Sequence, residues 1–115
     1  MALLGAFILP HPPLIVPEIG RGEEKKIQKT VDAYEKVARA VAELKPDTIV
    51  VISPHSVLYS DYIHISPGDG ARGNFGMFGA KDVEIAKKYD TEFVQNLSHF
   101  AQSAGIPAGT QGEKN

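Results

Sequence analysis

The residues best suited to chemistry are two histidines that each follow an apolar run closing on a proline. His11 comes after residues 3–10, and His55 comes after residues 48–54. Imidazole suits zinc, copper, iron and nickel, and two histidines with one carboxylate form the facial site of non-heme Fe(II) oxygenases. Zinc hydrolases use the same types of ligand. The pair therefore predicts metal chemistry without choosing the metal.

Two strands and a helix are predicted to position these histidines. Ala2–Leu9 and Asp47–Ile52 carry the apolar runs typical of parallel strands that are covered on both faces. Between them, from Glu23 to Leu44, apolar side chains recur every three or four residues, as in an amphipathic helix that ends before Pro46. Such a βαβ crossover ends both strands at one edge of the sheet. Since neighbouring strands lie about 4.8 Å apart, we predict that both imidazoles reach one ion.

The second half of the chain predicts a strand, a loop, an edge strand and a helix. Tyr62–Ser66 alternates polar and apolar side chains, as in a half-exposed strand. The glycine-rich Pro67–Ala80 favours a long functional loop, and Asp82–Tyr89 a short edge strand. Asp90 is the expected N-cap of a second amphipathic helix that stops at Gly105.

Composition restricts the classes of function. The chain has 115 residues, 43% of them hydrophobic, a formal net charge of −2 and no cysteine. These values are typical of one soluble domain and give no positive field for nucleic acid or an anionic membrane. Any metal must be held by histidine and carboxylate, since thiolates are absent. The apolar run near the N-terminus is too short for a membrane span and lacks the features of a signal peptide, so a cytoplasmic protein is expected.

Other chemical patterns are weaker. His64 lies inside a predicted strand and His99 beside the apolar face of a predicted helix, so both are expected to be structural. Gly68–Gly73 satisfies G-x-G-x-x-G but is not followed by a helical pattern, which argues against dinucleotide binding. Ser53 and Ser56 flank His55 without a G-x-S-x-G elbow, which disfavours a serine hydrolase.

Four separated motifs resemble the LigB-type class III extradiol dioxygenase family, with the AmmeMemoRadiSam-system and Memo-like proteins as the nearest branch. The motifs are LPHPP at 9–13, SPHS at 53–56, YIHISPG at 62–68 and FGMFGA at 75–80. The resemblance implies an α/β fold, a three-layer sandwich with a mainly parallel sheet of the phosphorylase/hydrolase-like type. It also implies a mononuclear Fe(II) held by two histidines and a glutamate, and the two histidines correspond to His11 and His55.

The same resemblance implies that a catecholic diol is opened with O2, aided by an acid/base histidine. The family's glutamate ligand and its Asp-His-Gly segment would follow Asn115, so residues 1–115 are interpreted as the N-terminal part of one LigB-like domain. Whether the chain is an enzyme by itself stays open. The alternatives are a non-catalytic Memo-like module that binds a metal or a peptide, and a His/carboxylate metal hydrolase, with Zn(II) or no metal in place of Fe(II). We expect a homo-oligomer, or packing against the missing C-terminal part.

Overall fold

A computed structural model describes residues 2–112 as a mixed α/β chain with two small sheets. The elements are α1 (Pro17–Gly20), α2 (Gln28–Leu44), β1 (Ile63–His64), β2 (Gly70–Phe75), β3 (Ala80–Lys88), α3 (Thr91–Ser103) and β4 (Ala108–Gly109), with 3₁₀ turns at Pro13–Ile15, Glu23–Ile27 and Gly76–Phe78. The described residues divide into two compact units, 2–47 with 73–85 and 48–72 with 86–112. Each unit is described by itself.

Helix α2 confirms the amphipathic helix that the sequence predicts in the first unit. The α-helix begins at Gln28, after the 3₁₀ turn, and ends at Leu44. Its end follows from Pro46, which has no N–H to continue the helix, and Lys45 takes a left-handed conformation with φ 49°. The half-buried stripe of the helix includes Val31, Tyr34, Val37 and Val41, together with Thr30 and Ala40. No helix within residues 2–112 is both long and apolar enough to cross a membrane.

Helix α3 confirms both ends of the second predicted helix. The N–H of Phe93 donates to Asp90 Oδ1 at 3.0 Å, so Asp90 is the N-cap. At the other end Gly105 adopts φ 71°, its N–H donates to the carbonyl of Gln102, and Ile106 N donates to the carbonyl of Ala101. This is a Schellman motif, which explains why a glycine ends the helix.

The carboxylate of Asp90 is also expected to make the stability of the N-terminal end of α3 depend on pH. The Thr48 hydroxyl and then the Phe93 N–H donate to it, and these bonds hold the pKa of Asp90 below its ordinary 3.8. A pKa lowered by folding stabilises the native state at a pH above the unfolded pKa, and this contribution disappears as the pH falls through the folded value. We therefore expect Asp90→Asn to weaken the pH dependence of unfolding below about pH 4, a range set by the unfolded pKa of aspartate.

Urea unfolding followed by far-UV circular dichroism from neutral to acid pH checks this expectation. Glu92→Gln is the matched control, since Glu92 is an exposed carboxylate in the first turn of the same helix. Thr48→Val removes the hydrogen bond that lowers the pKa of Asp90 most, so it should move the acid transition towards that of Asp90→Asn. An Asp90→Asn variant with the wild-type acid profile would contradict the assignment.

The glycine-rich segment is a hairpin, so the prediction of a loop over Pro67–Ala80 was wrong. Strand β2 lies within this segment and pairs with β3, which confirms the strand predicted at Asp82–Tyr89 and extends it to Ala80. Two features stabilise the turn between the strands. Gly79 takes φ 81°, and Asn74 Oδ1 accepts a hydrogen bond from Gly76 N at 2.8 Å. The G-x-G-x-x-G pattern therefore enters a strand instead of opening a helix.

A short parallel pair lies in the second unit. The strand predicted at Tyr62–Ser66 is reduced to β1, whose Ile63 pairs with Ala108 and whose His64 pairs with Gly109. Between β1 and β4 the chain passes through the hairpin of β2 and β3 and then through α3, so the connection between these parallel strands includes a helix, as is typical of α/β proteins. The α/β class is thus present, with only two residues in each parallel strand.

The first two predicted strands are not formed among the described residues. Ala2–Leu9 and Asp47–Ile52 contain no strand, and apart from the half-buried Leu9 their apolar side chains are exposed, with Ile8 at 101% and Ile52 at 94%. Ala80 and Ala101 are the buried hydrophobic residues within 2–112. A doubly covered parallel strand is stable only with hydrogen-bonded neighbours and a layer on each face. Neither run has a ladder partner here, so the predicted βαβ crossover was wrong for this structure.

Candidate metal centre

His11 lies on a proline-rich segment whose backbone is held on both sides. Before it, the Tyr34 hydroxyl of α2 donates to the carbonyl of Pro10. After it, the carbonyl of Pro12 accepts from Ile15 N at 3.2 Å, which begins the 3₁₀ turn. Pro12 itself is extended, with φ −70° and ψ 129°. The exposed His11 therefore stands on a stiff, non-helical stretch, as its proline neighbours predict.

His55 lies in a tight turn that follows the second apolar run. Its N–H donates to the hydroxyl oxygen of Ser53 at 3.2 Å. A serine hydroxyl that accepts from the backbone two residues later is typical of a turn. Residues 51–61 are exposed along their whole length, His55 among them. Ser53 thus has a structural role in shaping the turn.

The two predicted ligands belong to different units of the chain. His11 is in the first unit and His55 is in the second, so their meeting at one ion stays a prediction. Within residues 2–112, no three side chains of the types His, Cys, Asp and Glu are grouped so that they could hold an ion.

His64 belongs to an aromatic cluster that sequence reasoning did not predict. The ring centroid of Tyr59 lies 6.1 Å from that of His64 and 6.2 Å from that of Tyr62, both in edge-on geometry. Residues near the end of the described chain cover the cluster, since Tyr59 donates to the carbonyl of Gly112 and Gln111 N donates to the Tyr62 oxygen at 3.4 Å. The polar face of the predicted third strand was the signal that could have indicated it.

The tight fit at Gly112 shows how closely the chain covers this cluster. A Cβ added at Gly112 would lie 2.6 Å from the Tyr59 ring and 2.9 Å from His64 Nδ1. Such distances leave no room for a side chain. The imidazole of His64 therefore lies against the chain at Gly112 within the second unit.

A cleft of about 330 Å³ opens between α3 and the residues around β4. Its polar walls include Tyr62, His99, Gln102, Thr110 and Gln111, and its lining among the described residues includes no aspartate, glutamate, lysine or arginine. The cleft contains neither His11 nor His55. Its walls come from parts of the sequence that no local pattern connects.

Comparison with known proteins shows a matching family and a curated relative. A family model described as the catalytic LigB subunit of aromatic ring-opening dioxygenase matches residues 5–114. Protein CA_C1420 of Clostridium acetobutylicum is 39% identical over 108 residues, which are 94% of this chain and 23% of that protein. The chain thus spans about a quarter of the relative's length. No solved structure matches the chain.

Proposed function

Because the chain belongs to the family of the catalytic LigB subunit of aromatic ring-opening dioxygenases, we propose that it is the N-terminal part of an extradiol dioxygenase domain. The observation that carries the proposal is the family match over residues 5–114, which includes both Pro-His segments. The length of the relative supports the view that a whole protein of this kind is longer than 115 residues.

His11 and His55 are proposed as two of three ligands of a mononuclear Fe(II). Their chemistry fits the ion, since both are exposed imidazoles on backbone segments held by hydrogen bonds. The ligand set is incomplete among residues 2–112, so the carboxylate of the facial site would have to come from further polypeptide. A bound iron would bring a catecholic diol and O2 together. The contribution of this chain is to hold two nitrogen donors on restrained backbone.

The complete domain is proposed to be a three-layer sandwich with a mainly parallel sheet. The parallel pair of β1 and β4, with α3 between them in the chain, supports this architecture. The exposed runs Ala2–Leu9 and Asp47–Ile52 support it too, because their composition suits central strands that lack neighbours. Further polypeptide of the same protein would supply those neighbours, and a second copy of the chain is the alternative partner.

A non-catalytic binding module is the second candidate function. The observation in its favour is the exposure of large hydrophobic side chains, including Leu3 at 89% and Val51 at 80%. Contiguous exposed apolar surface often marks a place where a protein or peptide binds. On this reading the two histidines would shape the surface without a catalytic ion.

Anaerobic calorimetric titration of Fe(II) into the chain tests the proposal. We expect one Fe(II) per chain, and we expect the complete domain proposed above, loaded with Fe(II), to open catechol when O2 is admitted, as followed by the absorbance of the ring-opened product. The 115-residue chain should bind the ion without opening the ring. Absence of Fe(II) binding in both proteins would overturn the dioxygenase assignment in favour of the binding module.

A further inference from the structure

We infer that Tyr34 is a positioning residue for His11, because its hydroxyl holds the peptide that joins Pro10 to His11. The inference rests on the proposed role of His11 as a metal ligand. Tyr34 donates to the carbonyl oxygen of Pro10, and this carbonyl belongs to the same planar peptide unit as the N–H of His11. The orientation of that plane limits where the imidazole can point.

The location of Tyr34 on α2 makes it a rigid donor. It lies on the half-buried stripe of the helix, together with Val31 and Val37, one turn on either side. Tyr34 is therefore half-buried, while its hydroxyl reaches the segment before His11. Because α2 has 17 residues and regular hydrogen bonds, it provides a fixed support for an otherwise irregular stretch.

No strand among the described residues holds the backbone on this side of His11. Residues 2–9 form no strand, so no sheet holds the chain before Pro10. Proline has no N–H, so Pro10 cannot itself donate to a neighbour. On the other side, the 3₁₀ turn at Pro13–Ile15 holds Pro12. The Tyr34 hydroxyl thus complements the turn, and His11 is fixed at both ends.

Tyr34→Phe tests the inference, since it removes the hydroxyl and keeps the ring. A ligand that must be ordered on binding has a lower affinity than one that is already in place. The loss of one hydrogen bond of ordinary net strength corresponds to roughly a threefold to tenfold weaker Fe(II) affinity. Anaerobic calorimetry measures this change, and ring resonances of His11 in the metal-free protein, assigned with His11→Ala, should broaden or average in Tyr34→Phe.

Tyr59→Phe is the matched control. It removes the same kind of bond, from a tyrosine hydroxyl to a backbone carbonyl, in the second unit. It should leave both the Fe(II) affinity and the His11 resonances unchanged. Wild-type affinity and wild-type His11 resonances in Tyr34→Phe would overturn the positioning role, even if His11→Ala abolishes binding. Unchanged affinity in His11→Ala would instead reject the proposed function itself.

Discussion

Replacing His11 or His55 by alanine is expected to weaken Fe(II) binding about a hundredfold. Binding free energies of about 10–16 kcal/mol for four-ligand zinc sites correspond to roughly 3 kcal/mol for each ligand, which is a factor of about a hundred. The two variants should have similar affinities, because each would retain a single imidazole. Anaerobic calorimetry on the wild type and both variants measures the change. Since both side chains are exposed, the stability of the protein should change little.

His99→Ala provides the control for non-specific binding to imidazole. His99 is also exposed, and it lines the cleft beside α3 instead of a Pro-His segment. Its replacement should leave the Fe(II) affinity within the error of the measurement. Equal affinity in the wild type, His11→Ala and His55→Ala would show that the two histidines do not share an ion. A loss in only one of them would reduce the site to a single histidine.

Local sequence signals predicted α2 and α3, although α2 begins at Gln28 and not at the predicted Glu23. The spacing of Val31, Tyr34 and Val37 defined the face of α2, and Pro46 correctly indicated where that helix must stop. Asp90 and Gly105 defined the ends of α3 through hydrogen bonds that involve only neighbouring residues. Such features depend on a few adjacent side chains, so they can be predicted without knowledge of the tertiary structure.

The hairpin was missed because glycine has two structural uses. Its frequency in residues 68–79 suggested a loop, yet Gly70 lies within β2 close to the backbone of Lys87. A Cβ at Gly70 would lie 2.5 Å from the Lys87 carbonyl oxygen. Glycine here permits the close approach of two strands, a use that composition alone does not distinguish from flexibility.

The apolar runs show where sequence patterns depend on the rest of a fold. The composition of residues 49–52 suits a central strand, but a strand also requires a partner with matching hydrogen bonds. Helix α2 satisfies its backbone within itself and therefore forms among the described residues. The strands of a parallel sheet form their backbone hydrogen bonds only with neighbouring strands. The same reasoning applies to the proposed metal centre. Its two histidines were predicted from motifs, and their approach to one ion would depend on those strands.

The exposed run at residues 49–52 is expected to make the chain self-associate, and Ile52→Lys should reverse this association. Full burial of an isoleucine side chain stabilises an interface by about 1.5–3 kcal/mol, so its loss should raise the dissociation constant of the associated form roughly tenfold to a hundredfold. A lysine also blocks edge-to-edge pairing of strands. Sedimentation velocity over a range of protein concentrations measures the shift towards monomer.

The exposure of Ile52 makes this prediction separable from a general loss of stability. At 94% exposure its replacement should change the free energy of unfolding by less than about 0.5 kcal/mol. Val31→Lys is the contrasting variant, since it introduces a charge into the half-buried stripe of α2 and should destabilise the protein without changing the exposed run. If the wild type is already monomeric at every concentration, the run is not an association surface. If the wild type contains a mixture of monomer and larger forms, Ile52→Lys, but not Val31→Lys, should convert it to monomer. This result would show that the exposed apolar run binds a neighbouring chain, as the proposed parallel sheet requires.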